Sequence, residues 1–401
     1  MKSIQTKWRW YSCLLLLLFS FPAYTQININ GRVIDEKDDS PLPGASVYFN
    51  KTTVSTYTNQ QGDFHFDNIN LLNTELVISC PGYDVVVFKP TAEQVKDKRL
   101  IFKLQPKKEQ VQKPVLVKDS IRNTQLYFFY LNFLGVTDEA TKAIITNERQ
   151  IQLYFFYLNF LGVTEEAINA TISNERQIHF VEADSNTSFN AYADTTLVII
   201  NNMLGYKINF DLVDFYFNEV NGRTYYFGYS HYEELGDPKK YVKRRRHTYY
   251  GSSMHFYQSL VAHQLYEQGF GAFLVQPVKD STGVAKKRDA TAQQRGDEIL
   301  PTPMAAQEIL YIDSTNNFSI RVAGELLVQY DKDPFPKLFL TQTGNMEGYL
   351  QKGVESSIFF KASPIELNNA GLPVDDTNIE YAGYWMYEKI ANTLPINYKP
   401  N

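Results

Sequence analysis

GRVIDEKDDSPLPGASVYFN, residues 31–50, sets two apolar runs either side of a break built from turn residues. Val33 and Ile34 carry the first run and Val47, Tyr48 and Phe49 the second, side chains that suit a pleated surface. Between them, Ser40-Pro41-Leu42-Pro43-Gly44 offers the fixed φ of proline and the positive φ open to glycine. The same beat continues on either side. Candidate strands are Ile27–Ile34, Ala45–Asn50, Val54–Tyr57, Phe64–Asn68, Glu75–Cys80, Val85–Phe88 and Leu100–Leu104. Asn59-Gln60-Gln61-Gly62 and Pro81-Gly82 supply further turns. Short strands punctuated this regularly predict a β-sandwich over residues 26–105.

Four blocks in this span carry a resemblance. They are Gly31-x-Val33-x-Asp35, Pro41-x-Pro43-Gly44-Ala45-x-Val47, Thr58-x-x-x-Gly62-x-Phe64 and Pro81-Gly82-Tyr83. In order and spacing they resemble the carboxypeptidase regulatory-like domain found at the N-terminus of exported Bacteroidetes proteins. The resemblance implies a transthyretin-like Greek-key sandwich used for spacing, docking or stability, with no chemistry of its own.

Upstream, residues 1–25 read as a secretory signal. Lys2, Lys7 and Arg9 precede the apolar run Leu14–Phe21, and Ala23 and Thr25 provide small residues before Gln26. The run is too short to span a bilayer, and no later segment is apolar enough, so no transmembrane segment is expected after cleavage. Cleavage removes Cys13 and leaves Cys80 as the one thiol, which excludes an internal disulfide. Within LVISC, Cys80 reads as a packed core residue rather than a nucleophile.

Downstream, residues 106–124 form a polar, lysine-bearing linker with Pro106 and Pro114. The chain then repeats itself. QLYFFYLNFLGVTDEATKAIITNERQI, residues 125–151, is followed at once by QLYFFYLNFLGVTEEAINATISNERQI, residues 152–178. Two copies are too few for a solenoid, so the pair reads as a tandem duplication. Each copy predicts an aromatic helix ending at Gly135 or Gly162, then a short helix capped by Thr137 or Thr164. Only the second copy runs directly into the next unit, which makes it the native element.

Residues 179–401 read as an α+β domain, so the whole chain is mainly β with an α+β C-terminal part. Tyr206, Ile208, Phe210 and Leu212 alternate with polar residues, and Phe215 and Phe217 continue in the other phase, as a bulge produces. Asn221-Gly222 signals a tight hairpin. Helices are expected at Ser253–Gln268, ended by Gly269, and at Tyr384–Thr393. Strands are expected near Phe270–Val275, Phe318–Tyr330 and Ser357–Lys361, and Lys279–Asp297 reads as a long loop. The blocks Leu204–Ile208, Tyr226–Tyr229 and Gly383–Trp385 resemble a region that often follows the regulatory-like domain in Bacteroidetes envelope proteins. That resemblance implies no mechanism.

Charge and motifs narrow the function classes. A net charge of −5 argues against nucleic acid as a partner. The His-x-x-Glu pairs His179/Glu182 and His231/Glu234 fall in predicted strands, where the two side chains face opposite ways and cannot close on one metal. His255 and His263 lie too far apart on a helix for one site. No nucleophile elbow, phosphate loop or dinucleotide motif occurs, so no catalytic residue, cofactor or metal is assigned. The sharpest feature is the basic run Lys239, Lys240, Lys243, Arg244, Arg245 and Arg246. It reads either as a solvated helix start or as an anion-binding patch. The expectation is a non-enzymatic cell-envelope protein, periplasmic or outer-membrane-associated, that docks a polysaccharide or envelope protein. The alternative is a glycan- or peptide-directed hydrolase within residues 179–401.

Overall fold

The computed structural model describes residues 27–69, 74–95, 98–107, 148–162, 164–183, 188–218, 220, 224–276, 296–314, 317–322, 324–332 and 353–400. The protein is mainly β, with helices in its C-terminal part. Residues 125–147 of the first repeat copy, most of the linker and most of the expected loop after Lys279 lie outside the described residues.

All seven strands expected in the first unit are present: β1 (Ile27–Asp35), β2 (Ser46–Phe49), β3 (Ser55–Tyr57), β4 (Asp63–Ile69), β5 (Leu76–Ser79), β6 (Val86–Phe88) and β7 (Arg99–Leu104). They form two sheets, β4-β1-β7 and β3-β2-β5-β6. Ile29, Val33, Val47, Phe64, Leu76 and Leu104 share one core between them. A one-turn helix that the sequence did not announce, α1 (Ala92–Val95), adds Val95 to that core.

The four sequence blocks are tied by specific contacts. Thr58 donates its hydroxyl to Leu42 O and accepts from Ala45 N, pinning the proline-rich turn. Gly62 takes φ +75°, and a Cβ there would meet Val33 O at 2.5 Å, so no other residue fits. Tyr83 donates to Asp35 Oδ2 at 2.7 Å, which joins the last block to the first. That bond, above all, pushes the Tyr83 phenol up to about 12.

The second repeat copy forms the two helices its sequence predicts, but its last part is not helical, because Ala170–Ile172 pairs with Ile199–Asn201 as a strand. Helix α2 (Glu148–Phe160) buries Phe156 and Phe160, and the chain turns at Gly162, φ +105°. Thr164 caps α3 (Glu165–Ile168), accepting from Ala167 N. Both pack on a six-stranded sheet of β8 (Ala170–Ile172), β9 (Ile178–Glu182), β10 (Ser188–Ala193), β11 (Leu197–Asn201), β12 (Tyr206–Asn218) and β13 (Thr224–Glu234). Phe156 lies 4.6 Å from Phe215, and Phe160 lies 4.9 Å from Phe210, ring centre to ring centre. The expected bulge shifts the β12–β13 register between Leu212 and Asp214, which is why Phe210 and Phe215 reach the same side.

Three helices follow: α4 (Val242–Tyr249), α5 (Ser253–Val261) and α6 (Leu265–Gln268). The single helix expected over Ser253–Gln268 is therefore two, broken where His263 adopts φ +55°. Gly269 ends α6 as anticipated, in the left-handed region. A second core lies behind them, on a five-stranded sheet of β14 (Phe270–Gln276), β15 (Glu298–Ile299), β18 (Gly324–Tyr330), β19 (Val354–Phe360) and β21 (Ile379–Gly383). Beside it, α7 (Ala306–Ile309) leads to a small sheet of β16 (Leu310–Ile312), β17 (Phe318–Ile320) and β20 (Ile365–Glu366). The helix expected at Tyr384–Thr393 is replaced by two 3-10 turns, Tyr384–Tyr387 and Ile390–Asn392. Tertiary partners decide this. Trp385 donates its backbone N–H to Ser356 and its indole to Gly251 O, while Asn201 takes the Ala391 carbonyl. Those bonds hold the backbone and ring where a continuous helix would not put them.

The sandwich is seated on the second unit. Lys51 N donates to Ser230 O at 2.6 Å and Tyr232 N donates to Thr52 O at 2.9 Å, adding one parallel rung to the edge of β13. Ile396 N donates to Lys51 O from the C-terminal segment.

Candidate functional site

The basic run occupies a 3-10 turn, Pro238–Tyr241, and the first part of α4. Asp237 caps the turn through Lys239 N, and Pro238 stands at its first position, where a missing N–H costs nothing. From there the six cations divide. Lys239, Lys240, Lys243, Arg244 and Arg246 are exposed, but Arg245 is 4% exposed. Its guanidinium binds Glu234 through both terminal nitrogens at 2.9 and 2.6 Å, and donates to Leu204 O and Gly205 O. It also lies 3.7 Å above the Tyr206 ring. Gly205 lets the Tyr241 ring close over the same site, because a Cβ there would strike that ring at 2.2 Å. Arg245 therefore holds the fold together and is withdrawn from the expected anion-binding set. Arg244 reaches Glu165 at 3.3 Å, an exposed pair of little energetic weight. Lys239, Lys240, Lys243 and Arg246 remain, displayed on one short helical segment that the buried Arg245 anchors from beneath.

A second polar cluster lies where the sandwich meets the body, and no sequence motif marks it. Asp211, 6% exposed on β12, accepts hydroxyls from Tyr48, from Ser79 at 2.8 Å and from Thr196 at 2.6 Å. Burial, then the Asp211 charge, drive the Tyr48 phenol far above its ordinary value. The Tyr48 ring also packs 4.4 Å from His231, whose buried Nδ1 has no hydrogen-bond partner among the described residues. Burial holds the His231 imidazole below its usual value, against the pull of the Asp211 and Glu233 charges. A water-sized cleft of about 20 Å³ opens beside Asp211, between Ser79, Tyr83 and Lys107 on one side and Asp194 to Thr196 on the other. Cys80 lines it half-buried, and desolvation raises its thiol, the behaviour of a packed cysteine.

One local signal pointed to this junction. SVYF and LVIS, the strands β2 and β5, are apolar on both faces, and β5 is buried along its whole length. A sandwich strand with a free outer face alternates instead, so unbroken apolarity implies a cover on both sides.

Both His-x-x-Glu pairs sit on strands. His179 binds Asp194 at 2.6 Å from β9, and on β13 Glu234 belongs to Arg245. His255 is buried, accepts from Gly251 N, and is pushed down to about 4 chiefly by desolvation. Among the described residues no three His, Cys, Asp or Glu side chains gather as metal ligands, and no helix is long and apolar enough to cross a membrane. A broad groove on the sandwich passes Asn30, Tyr57, Asp63, His65 and Arg99. Its polar groups bind one another: Asp63 holds Arg32 and Arg99, and His65 bridges Asn30 and Asp67.

Residues 29–116 match the family described as the CarboxypepD_reg-like domain. The chain carries a carboxypeptidase regulatory-like domain at its N-terminal end. That span covers the seven strands after Asn28 and the motif contacts set out above. No curated protein matches the chain. Solved structures that align with it include a proposed carbohydrate-binding protein from Bacteroides uniformis, 11% identical, covering 54% of this chain and 83% of its own, with a TM-score of 0.17. A proposed membrane-associated protein of unknown function from Bacteroides fragilis is 11% identical, covers 86% of this chain and 93% of its own, and also scores 0.17. A 9R-lipoxygenase from Cyanothece scores 0.15 at 13% identity, over 62% of this chain and 49% of its own. Superpositions this weak carry no argument about what the chain does.

Proposed function

We propose that this protein is a non-enzymatic cell-envelope module that binds an anionic envelope polysaccharide on the face formed by Lys239, Lys240, Lys243 and Arg246. The regulatory-like domain serves as a brace for the binding unit. The carrying observation is that five cations stand exposed on one short helical segment, four of them outside the Arg244–Glu165 pair, in a chain whose net charge is −5. Concentrating positive charge against the overall balance steers polyanions to one place. The leader-like N-terminus and the regulatory-like domain support a site of action outside the cytoplasm.

The test is retention on a polyanion at low salt, with heparin as probe and neutral dextran as control. K239A/K240A/K243A/R246A is expected to weaken heparin binding at least about tenfold and to flatten its salt dependence. Thermal stability should stay within about 0.5 kcal/mol of the parent, because the four side chains hold nothing in place. Equal binding by parent and variant would overturn the proposal.

One observation favours a hydrolase as the second reading. Desolvation raises the half-buried Glu388 carboxyl to about 8; Glu166 adds to the shift, and the Ser253 N–H opposes it. A carboxylic acid protonated at neutral pH beside a second carboxylate is the outfit of a general acid. Neither cleft described above includes the pair. A raised carboxyl binds its proton more tightly in the folded chain, so its contribution to stability falls as pH rises from 4.5 towards 8. Melting curves across that range should show this fall in the parent and lose it in E388Q. The hydrolase reading further requires release of sugar or peptide that E388Q abolishes.

A further inference from the structure

The two repeat copies differ in a telling pattern. The differing pairs are Asp138/Glu165, Thr141/Ile168, Lys142/Asn169, Ile144/Thr171 and Thr146/Ser173. In the second copy Glu165, Asn169, Thr171 and Ser173 are exposed. The buried apolar residues Phe156, Phe160, Leu161, Ala167, Ile172 and Ile178 are matched without change by Phe129, Phe133, Leu134, Ala140, Ile145 and Ile151. The polar contacts are matched too. Asn392 binds Thr164 and Glu166, whose counterparts are Thr137 and Glu139. Asn159 accepts from Thr224 at 2.7 Å, and its counterpart is Asn132. The turn glycine at Gly162, with its positive φ, recurs as Gly135.

We infer that the slot on the sheet of β9 to β13, now filled by Gln152–Ile178 with its own strand β8, accepts Gln125–Ile151 of the same chain as an alternative occupant. The buried apolar side chains and the Asn159, Thr164 and Glu166 contacts are shared by the two copies, and the two contacts made by differing residues keep their chemistry, Glu165 to Arg244 as Asp138 and the Ser173 hydroxyl to Val198 O as Thr146. Chain connectivity allows the exchange. With the first copy seated, residues 108–124 would make the connection from the sandwich, with a reach of up to about 55 Å. Residues 152–178 would then leave and rejoin the chain between Ile151 and His179. That excursion adds one loop closure, whose cost grows only slowly with length. The second copy therefore holds the slot in the resting chain, because its junction to β9 is direct.

The experiment breaks the resident copy. F156D/F160D puts two carboxylates into a buried cluster and should abolish cooperative unfolding in a chain lacking Gln125–Ile151, where Thr124 joins Gln152. In the full chain the same pair should leave a cooperative transition, with Tm lowered by no more than roughly 10 °C. Occupancy is read by a disulfide. Phe155 stacks on Phe217 at 5.1 Å, and the counterpart of Phe155 is Phe128. In full-length chains with Cys13 and Cys80 replaced by serine, F155C/F217C is the reference cross-link. F128C/F217C should also cross-link, most completely when combined with F156D/F160D, as shown by peptide mapping. Loss of cooperative folding in the full-length F156D/F160D variant overturns the inference. So does survival of the fold without any F128C–F217C disulfide, because the rescue would then come from elsewhere.

Discussion

D211A is expected to unseat the regulatory-like domain and to cost about 3 kcal/mol of stability. Asp211 ties the sandwich to the body: Tyr48 on β2 and Ser79 at the end of the neighbouring β5 donate to it from one side, and Thr196 before β11 from the other. Hydrogen bonds to a charged acceptor contribute roughly 1.5–3 kcal/mol each, so the gross loss exceeds the expected figure. Removing the carboxylate also relieves the cost of burying its charge, which offsets part of that loss. What remains is mostly the penalty on the three hydroxyls left without an acceptor, two of them in a closed interface. Asparagine keeps one acceptor oxygen and should lose less, and Y48F should lose only one bond, about 1.5–2 kcal/mol. Thermal unfolding gives the magnitude. Limited proteolysis gives the place: new cuts around Lys51–Val54 and the β12–β13 edge are expected in D211A. A D211A melt indistinguishable from the parent would mean that the rung at Thr52 and the contacts at Ile396 suffice without the carboxylate.

The sequence carried the sandwich well because its information there is local. Proline and glycine at 41–44, 62 and 82 dictate turns wherever they stand, and seven apolar runs between turns leave few other folds. The two helices of the second repeat copy were equally legible, since Phe156, Phe160, Gly162 and Thr164 act through helix periodicity and capping. Failures cluster where a tertiary partner overrides a local preference. Tyr384–Thr393 has helical spacing, yet Ser356, Gly251 and Asn201 take its polar groups and leave two 3-10 turns. The Asp211 cluster joins residues far apart in sequence, so no spacing rule could find it. Its trace was indirect, in strands apolar on both faces. The basic run shows the converse limit: six adjacent cations look equivalent as letters, and only helix phase and the Glu234 carboxylate separate Arg245 from its neighbours.

That separation makes R245A the complementary test. Arg245 satisfies the Leu204 and Gly205 carbonyls at the turn into β12, pairs with Glu234 at the end of β13 and covers the Tyr206 ring. Glu234 is exposed and stays solvated without its partner, so the cost falls on the two carbonyls and the lost packing, about 2–3 kcal/mol. Two carbonyls would lose their donor and a cavity would open under α4. The desolvated Tyr206 phenol would also lose the one neighbouring charge that favours its ionisation. Lysine cannot reproduce a planar fork that serves a carboxylate and two carbonyls at once, so R245K should still lose a large part of that stability. Methionine fills the volume but leaves the carbonyls unpaired, so R245M should fall between. The exposed quadruple variant defines the other pole, with polyanion binding reduced and the melt unchanged. If R245A instead melts like the parent and weakens heparin binding as much as the quadruple variant does, Arg245 reaches solvent and belongs to the patch. A stability loss in R245A that 0.5 M salt leaves intact would place its work inside the fold, since exposed charges are screened at that ionic strength and buried ones are not.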